Sequence, residues 1–295
     1  MHILFDARIH LDFMSGISRY ILMLLENMFE QDTTNQFTVF VNGKLPKDNE
    51  IYAICDKKNV NVIPLDVHHF GPVNYLKMPG IIRKINPDVY HYPHLDAPIS
   101  GIPTVATILD ANIRKGVKKY NDFLGLKTLY FKKSLKNTLK KTQKSMFISD
   151  AVMDDVLDLL QMEKSPKYMT VHLGVDESFK DFDESASEAI LKKFNIQKPY
   201  FLYVGTIREH KNIDRLIKAF VVSNLHPEYS LVLAGGKYEG YDVDMNQPGV
   251  NYIGRINEEE LKILYKNGFC FVFPSLLEGF GLPILESYML DLSLI

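Results

Sequence analysis

Two glutamates, Glu278 and Glu286, stand eight positions apart in the stretch FCFVFPSLLEGFGLPILESYM, Phe269–Met289. An ionised carboxylate accepts several O–H bonds, so such a pair suits the hydroxyls of a sugar and a ribose. Between them, Gly279 and Gly281 let backbone N–H groups come close to a ligand. Pro283 suits the first turn of a helix, where its missing N–H costs nothing. A strand, a glycine loop and a helix N-terminus together make an anion site, because first-turn amides and the helix dipole face the loop. A second basic constellation follows the run YFLYVG, Tyr200–Gly205: Arg208 and Lys211 precede a helix with Ile213, Leu216, Ile217 and Phe220 in its apolar stripe. Arg forks onto phosphate oxygens and Lys acts as a point charge, so both suit a pyrophosphate. Asn212 is expected to cap that helix. The plain alternatives are two exposed basic residues and an ordinary buried strand with Glu286 near a helix start.

Other residue pairs invite metal chemistry. His91 and His94 in H-Y-P-H have a ligand-like spacing, but no third ligand is nearby and Pro93 breaks any helix. Asp242 and Asp244 form a D-x-D in a loop rich in Gly, Tyr and Asn. No metal is expected at either.

The elements that must position these residues alternate. Strands are expected at His2–Arg8, Phe37–Asn42, Val60–Leu65, Asp88–Tyr92, Thr104–Leu109, Ser145–Ser149 and Tyr168–Leu173. Helices are expected at Ile17–Gln31, about Val73–Ile85 and Ala151–Leu160. Such alternation argues an α/β fold with parallel sheets. A charged stretch, Glu177–Pro199, reads as the linker, giving domains 1–180 and 181–295. In a doubly wound sheet of order 3-2-1-4-5-6, strands 1 and 4 are neighbours and ligands bind at their carboxyl ends. With Tyr200–Gly205 as strand 1 and Phe269–Phe273 as strand 4, the Arg208/Lys211 loop and the Glu278 loop should meet. Gly16 sits at the mouth of a first strand–loop–helix unit, with Ser15 as a candidate cap.

The 295 residues are 46% hydrophobic and 24% charged, with a net charge of −2. Cys55 and Cys270 cannot build a disulfide framework, which fits a reducing cytosol. MHILFDAR at the start is no secretory signal, and no run is apolar enough to span a membrane. Charge is uneven: Arg114–Lys144 holds eleven of the 34 Lys and Arg against one acid, Asp122. A helix at roughly Phe123–Lys141 carries Phe131, Leu135 and Leu139 on one face. It reads either as a solvated surface helix or as one lying on anionic lipid. Nucleic acid is not expected, because no recognition motif accompanies the charge.

E-G-F-G-L-P-I-L-E resembles the E-x7-E signature of the GT-B glycosyltransferases of the group 1, family 4 type. V-G-x-x-x-x-x-K-N resembles that family's diphosphate clamp, and D-A-R…S-G-I-S-R-Y resembles its opening. The resemblance implies two Rossmann-like doubly wound domains facing across a cleft. It implies transfer of a sugar, with retention, from a nucleoside-diphosphate-sugar to a glycan or lipid-linked acceptor, without a metal or other cofactor. A hexosyl and specifically a mannosyl group fits the type, as does polysaccharide biosynthesis. Lys211 and Arg208 would hold the pyrophosphate, helped by amides near Gly16. Glu278 and the amides of Gly279, Phe280, Gly281 and Leu282 would hold the sugar, Glu286 the ribose, and the loop at Gly254 would face the base. Relatives often carry T-I-H-D where this chain reads Thr107-Ile-Leu-Asp110, so Leu109 replaces a sugar-contacting histidine. Either Asp110 and its neighbours serve in catalysis, or the sugar contact differs, or activity is reduced. A nucleotide-sugar epimerase and a non-catalytic nucleotide-sugar binder are the competing readings. A cytoplasmic protein at the inner face of a membrane is the implied setting.

Relatives continue beyond the E-x7-E helix, whereas this chain runs through Y-M-L-D-L-S-L-I. The expectation is a truncated second domain whose strand 4 is a bare sheet edge, open to pairing with another chain.

Overall fold

A computed structural model describes residues 1–12, 16–110, 126–238 and 240–295. The chain folds into two compact units, with the boundary between Leu173 and Gly174.

The first unit holds a seven-stranded parallel sheet of order β3-β2-β1-β4-β5-β6-β7. Its strands are β1 (His2–Asp6), β2 (Gln36–Asn42), β3 (Val60–Leu65), β4 (Val89–Tyr92), β5 (Thr104–Ile108), β6 (Lys144–Phe147) and β7 (Tyr168–Thr170). Helices α1 (Gly16–Gln31), α2 (Glu50–Ile54), α3 (Pro72–Ile85), α4 (Leu126–Lys141) and α5 (Asp150–Leu160) connect them. Continuous apolar runs such as FTVFV are buried on both faces, as strands covered by helices on either side must be. The amphipathic α1 packs Ile21, Leu22, Leu25 and Phe29 against Phe5, Phe37 and Val39. The other face of β1 and β2 packs Leu4 and Phe40 against Met78 and Ile82 of α3. Leu135 and Leu139 of α4 are fully buried, while Leu129 is exposed.

The second unit is a four-stranded parallel sheet of order β10-β9-β8-β11, made of β8 (Tyr200–Val204), β9 (Ser230–Ala234), β10 (Val250–Gly254) and β11 (Cys270–Phe271). Its helices are α6 (Ser187–Lys193), α7 (Ile213–Val222), α8 (Glu258–Asn267) and α9 (Leu282–Met289). Numbered within the unit, the order is 3-2-1-4, so the expected neighbours pair: Cys270 with Phe201 and Phe271 with Leu202. The helix α8 opens on a capping box, in which Asn257 accepts from Glu260 N–H and the Glu260 side chain accepts from Asn257 N–H.

Three expectations fail here. The stretch read as a linker is folded: it holds 3-10 turns at Glu177–Lys180 and Glu184–Ala186, then α6. Its charges are solvated, but Phe179 and Ile196 are buried in the second unit's core beside Tyr265 and Phe271. Strand 4 is shorter than FCFVF, and Phe269 is 53% exposed, its ring set edge-on against Phe201 and Tyr229 at the start of the strand. Finally, β11 is not a bare edge. Phe271 N–H donates to Ser293 O at 2.7 Å, Ile295 N–H to Phe271 O at 2.9 Å and Phe273 N–H to Ile295 O at 3.0 Å. Leu294 forms a parallel bridge with Phe271. The apolar alternation L-D-L-S-L lets Leu290 and Leu292 turn into the same core. Among the described residues, no helix is long and apolar enough to cross a membrane.

Candidate functional site

In the second unit the loops at the carboxyl ends of the strands are tied together. After β8 comes a 3-10 turn, Glu209–Lys211, before α7 begins at Ile213. After β11 comes the loop Pro274–Gly281. Leu276 N–H donates to His210 O at 2.8 Å, and Asn212 Nδ2–H donates to Pro274 O at 3.1 Å. Asn212 is therefore not the expected side-chain cap: it adopts a left-handed conformation (φ 61°), which Asn tolerates, and its amide reaches across to the neighbouring loop.

The juxtaposition brings Lys211 and Glu278 together. Lys211 Nζ donates to Glu278 Oε1 at 2.5 Å, with the two side chains 18% and 24% exposed. An ion pair so half-buried is screened less than a surface pair, and it presents a cation and an acceptor side by side. Lys211 Nζ also stands 5.8 Å from the Phe273 ring centre. Tyr203, on β8, feels the same carboxylate: its phenol is pushed well above its ordinary range by burial and then by Glu278.

Arg208 lies on the same loop. Its guanidinium carbon is 4.2 Å from the centre of the Tyr238 ring, a cation–π contact. Its Nε is buried without a hydrogen-bond partner, as is Ser275 Oγ in the facing loop. Tyr238 follows β9 and is held by backbone: Ile207 N–H donates to Gly236 O at 2.8 Å and Tyr238 N–H to Ile207 O at 3.2 Å.

Gly281 precedes α9 with φ 95°, a conformation that favours glycine, and Ile284 N–H donates back to its carbonyl at 2.9 Å. Leu282 and Pro283 are the first residues of α9, and Gly279 and Phe280 complete the approach to it. Glu286 falls in the second turn. It is 4% exposed and its Oε2 accepts from Tyr265 O–H at 2.9 Å. Gly254 ends β10 with φ 74°, and its carbonyl accepts from Gly235 N–H at 2.7 Å, which places this loop beside the one after β9.

Gly16 and Asp110 belong to the first unit. Gly16 is the exposed first residue of α1, and a Cβ there would meet nothing within 4 Å. Asp110 follows β5, half-buried, next to Leu109. Ser15 lies outside the described residues, as does the Arg114–Gly125 part of the basic stretch. At the same carboxyl edge, Thr107 Oγ1 accepts from Tyr20 O–H at 3.1 Å and stands 2.8 Å from His91 Nε2. Burial pushes the His91 imidazole down to about 4. His94 Nδ1 is 2.9 Å from Asp96 Oδ1, so the two histidines of H-Y-P-H have separate partners. Asp244 likewise structures its own loop, accepting from Asn246 N–H at 3.0 Å and from Gln247 Nε2–H at 2.6 Å.

Tyr265 and Tyr238 were not foreseen as site residues. Tyr265 sits in the apolar periodicity of α8 and reads as core. Only the packing of α8 on α9 shows that its hydroxyl meets Glu286.

Known proteins bear on this geometry. Residues 186–295 match the family described as Glycosyl transferases group 1, so the second unit's sheet and both its loops lie inside that domain. Escherichia coli O-antigen chain mannosyltransferase B is 25% identical over 236 residues, which are 76% of this chain and 60% of that protein. The chain thus spans less than two thirds of that relative's length. Sucrose-phosphate synthase from Thermosynechococcus elongatus superposes with a TM-score of 0.71 at 16% identity, over 99% of this chain and 80% of the synthase. The Anabaena protein HepE in complex with UDP-glucose superposes with a TM-score of 0.69 at 12% identity, over 100% of this chain and 79% of HepE. The fold is that of the GT-B glycosyltransferases.

Proposed function

We propose that this chain is the working part of a retaining glycosyltransferase that takes a hexosyl group from a nucleoside-diphosphate-sugar and passes it to a glycan or lipid-linked acceptor. The observation that carries the reading is the Lys211–Glu278 pair at the carboxyl ends of neighbouring strands β8 and β11. A cation for the diphosphate and a carboxylate for the sugar hydroxyls stand in contact where a doubly wound sheet binds its ligand. Arg208 stands on the same loop, with its guanidinium over the Tyr238 ring. Positive charge at the diphosphate stabilises the leaving group as the glycosidic bond to it breaks, a role met by side chains and amides rather than by a metal. Glu286 holds the ribose and the loop at Gly254 faces the base. A mannosyl donor is favoured by the mannosyltransferase relative, and a UDP-sugar by the HepE complex. The basic α4 brings the chain to an anionic membrane face on the cytoplasmic side.

The test is a thermal-shift panel of UDP-, GDP- and ADP-sugars, because a ligand that binds only the native state raises its melting temperature. It is followed by transfer to an oligosaccharide acceptor and NMR of the new anomeric centre. Absence of any nucleotide-dependent shift, or an inverted product, refutes the proposal. Leu109 favours a second reading, a nucleotide-sugar binder without turnover. Binding with neither transfer nor epimerised sugar in the absence of acceptor would establish it.

A further inference from the structure

The carboxylate of Glu286 is held from outside the E-x7-E stretch. Tyr265, on α8, is fully buried. Its ring is set edge-on against Phe271 of β11 at 5.4 Å and against Phe179 at 6.2 Å. These contacts hold the ring, and its hydroxyl reaches α9. There it donates to Glu286 Oε2 at 2.9 Å, with Pro283 O a second, weaker acceptor at 3.4 Å. The last torsion of a Glu side chain is broad, so a carboxylate left to itself samples many planes. A fixed phenol on one oxygen selects one of them. The geometry is that of a charge-assisted hydrogen bond in a place with almost no water, where such bonds are strongest.

We infer that Tyr265 is a positioning residue that sets the plane of the Glu286 carboxylate and so determines the preference for ribonucleotide over 2′-deoxyribonucleotide donors. This rests on the reading that Glu286 holds the ribose. Vicinal hydroxyls are recognised by a carboxylate only when its acceptor directions match theirs. A donor lacking the 2′-hydroxyl loses most from a carboxylate that is correctly turned and least from one that is free to rotate.

The experiment compares ribo- and 2′-deoxyribonucleoside diphosphates with inorganic pyrophosphate, by calorimetry on the whole chain, in wild type, Tyr265→Phe and Glu286→Gln. Tyr265→Phe removes one oxygen and keeps the ring. Expected is a wild-type preference of at least about tenfold for the ribonucleotide, cut to about threefold or less in Tyr265→Phe. Pyrophosphate affinity should stay within about twofold, which a general loosening of the unit would not allow. If Glu286→Gln abolishes the preference but Tyr265→Phe retains it, the inference falls while the ribose reading stands. A wild type without preference, or a Glu286→Gln variant that keeps it, overturns both. If Tyr265→Phe does not fold, Tyr265→Met serves. It fills the buried place with a flexible apolar side chain that has no donor, and a ribonucleotide preference retained in it overturns the inference.

Discussion

Lys211→Ala should weaken diphosphate binding and leave nucleoside binding nearly untouched. The loss is that of a hydrogen bond to a charged group, about 1.5–3 kcal/mol, or about 10- to 150-fold. Glu278 does not add to it. That carboxylate, 2.5 Å from the ammonium in the native pair, repels the diphosphate with or without Lys211. At ~8 Å and an effective dielectric of ~20, its repulsion of one phosphate charge is on the order of 2 kcal/mol. Glu278→Gln should therefore do the opposite to the diphosphate: it removes the repulsion, so binding tightens by up to about 30-fold while sugar transfer collapses. The assay is calorimetry of the best nucleoside diphosphate against its nucleoside on wild type, both single variants and the double variant. In the double variant the two effects should add, because the attraction of Lys211 and the repulsion of Glu278 act on the diphosphate separately. Equal losses for nucleoside and diphosphate in Lys211→Ala would refute the phosphate role. Weaker diphosphate binding in Glu278→Gln would refute the electrostatic coupling.

Four further outcomes are expected. Asn212→Ala should destabilise the second unit by about 1–2 kcal/mol in urea melts, through the lost bond to Pro274 and the strained left-handed backbone, and Asn212→Gly should recover only the backbone share. Asp6→Ala should cost about 3–5 kcal/mol, since it strands the buried Arg8 guanidinium now paired with Asp6 at 2.6 Å; a loss under ~1 kcal/mol would argue against an uncompensated charge. His91 is held neutral by burial, down to about 4 from an ordinary 6.5, so the unfolded chain binds the extra proton between those values. Its contribution is therefore full above pH 6.5, falls as pH drops toward 4 and is worth up to about 3 kcal/mol; chemical melts of His91→Gln should show a flatter decline over that window. If α4 lies on lipid, flotation with vesicles should require anionic headgroups and weaken with salt, and equal recovery with neutral vesicles would count against it.

Much of the arrangement was legible in the sequence because it is carried by periodicity and topology. Runs such as YFLYV and SLVLA have few alternatives to a doubly buried strand, and their order implied that the Lys211 and Glu278 loops meet. What stayed hidden depends on neighbours far along the chain. Phe179 and Ile196 sit among charges, so the segment holding them has the composition of a linker although its apolar residues enter the second unit's core. Asn212 has the composition of a cap, but a capping amide and a loop-bridging amide look alike in one dimension. The pairing of Ser293–Ile295 with β11 is too short to show a strand pattern. Tyr265 carries no motif, because its partner lies on another helix.

The loops around this site are joined to one another through main chain. Gly205 N–H donates to Ala234 O, Ile207 N–H to Gly236 O, Gly235 N–H to Gly254 O and Leu276 N–H to His210 O. Such a rim tolerates insertions and deletions poorly, because a changed loop length would break a bond in its neighbour as well as in itself. Under the proposed function, donor choice would therefore change less through loop length than through exchange of the side chains that this frame carries, such as those at positions 208 and 238, so that single substitutions would be the natural unit by which a new specificity is acquired.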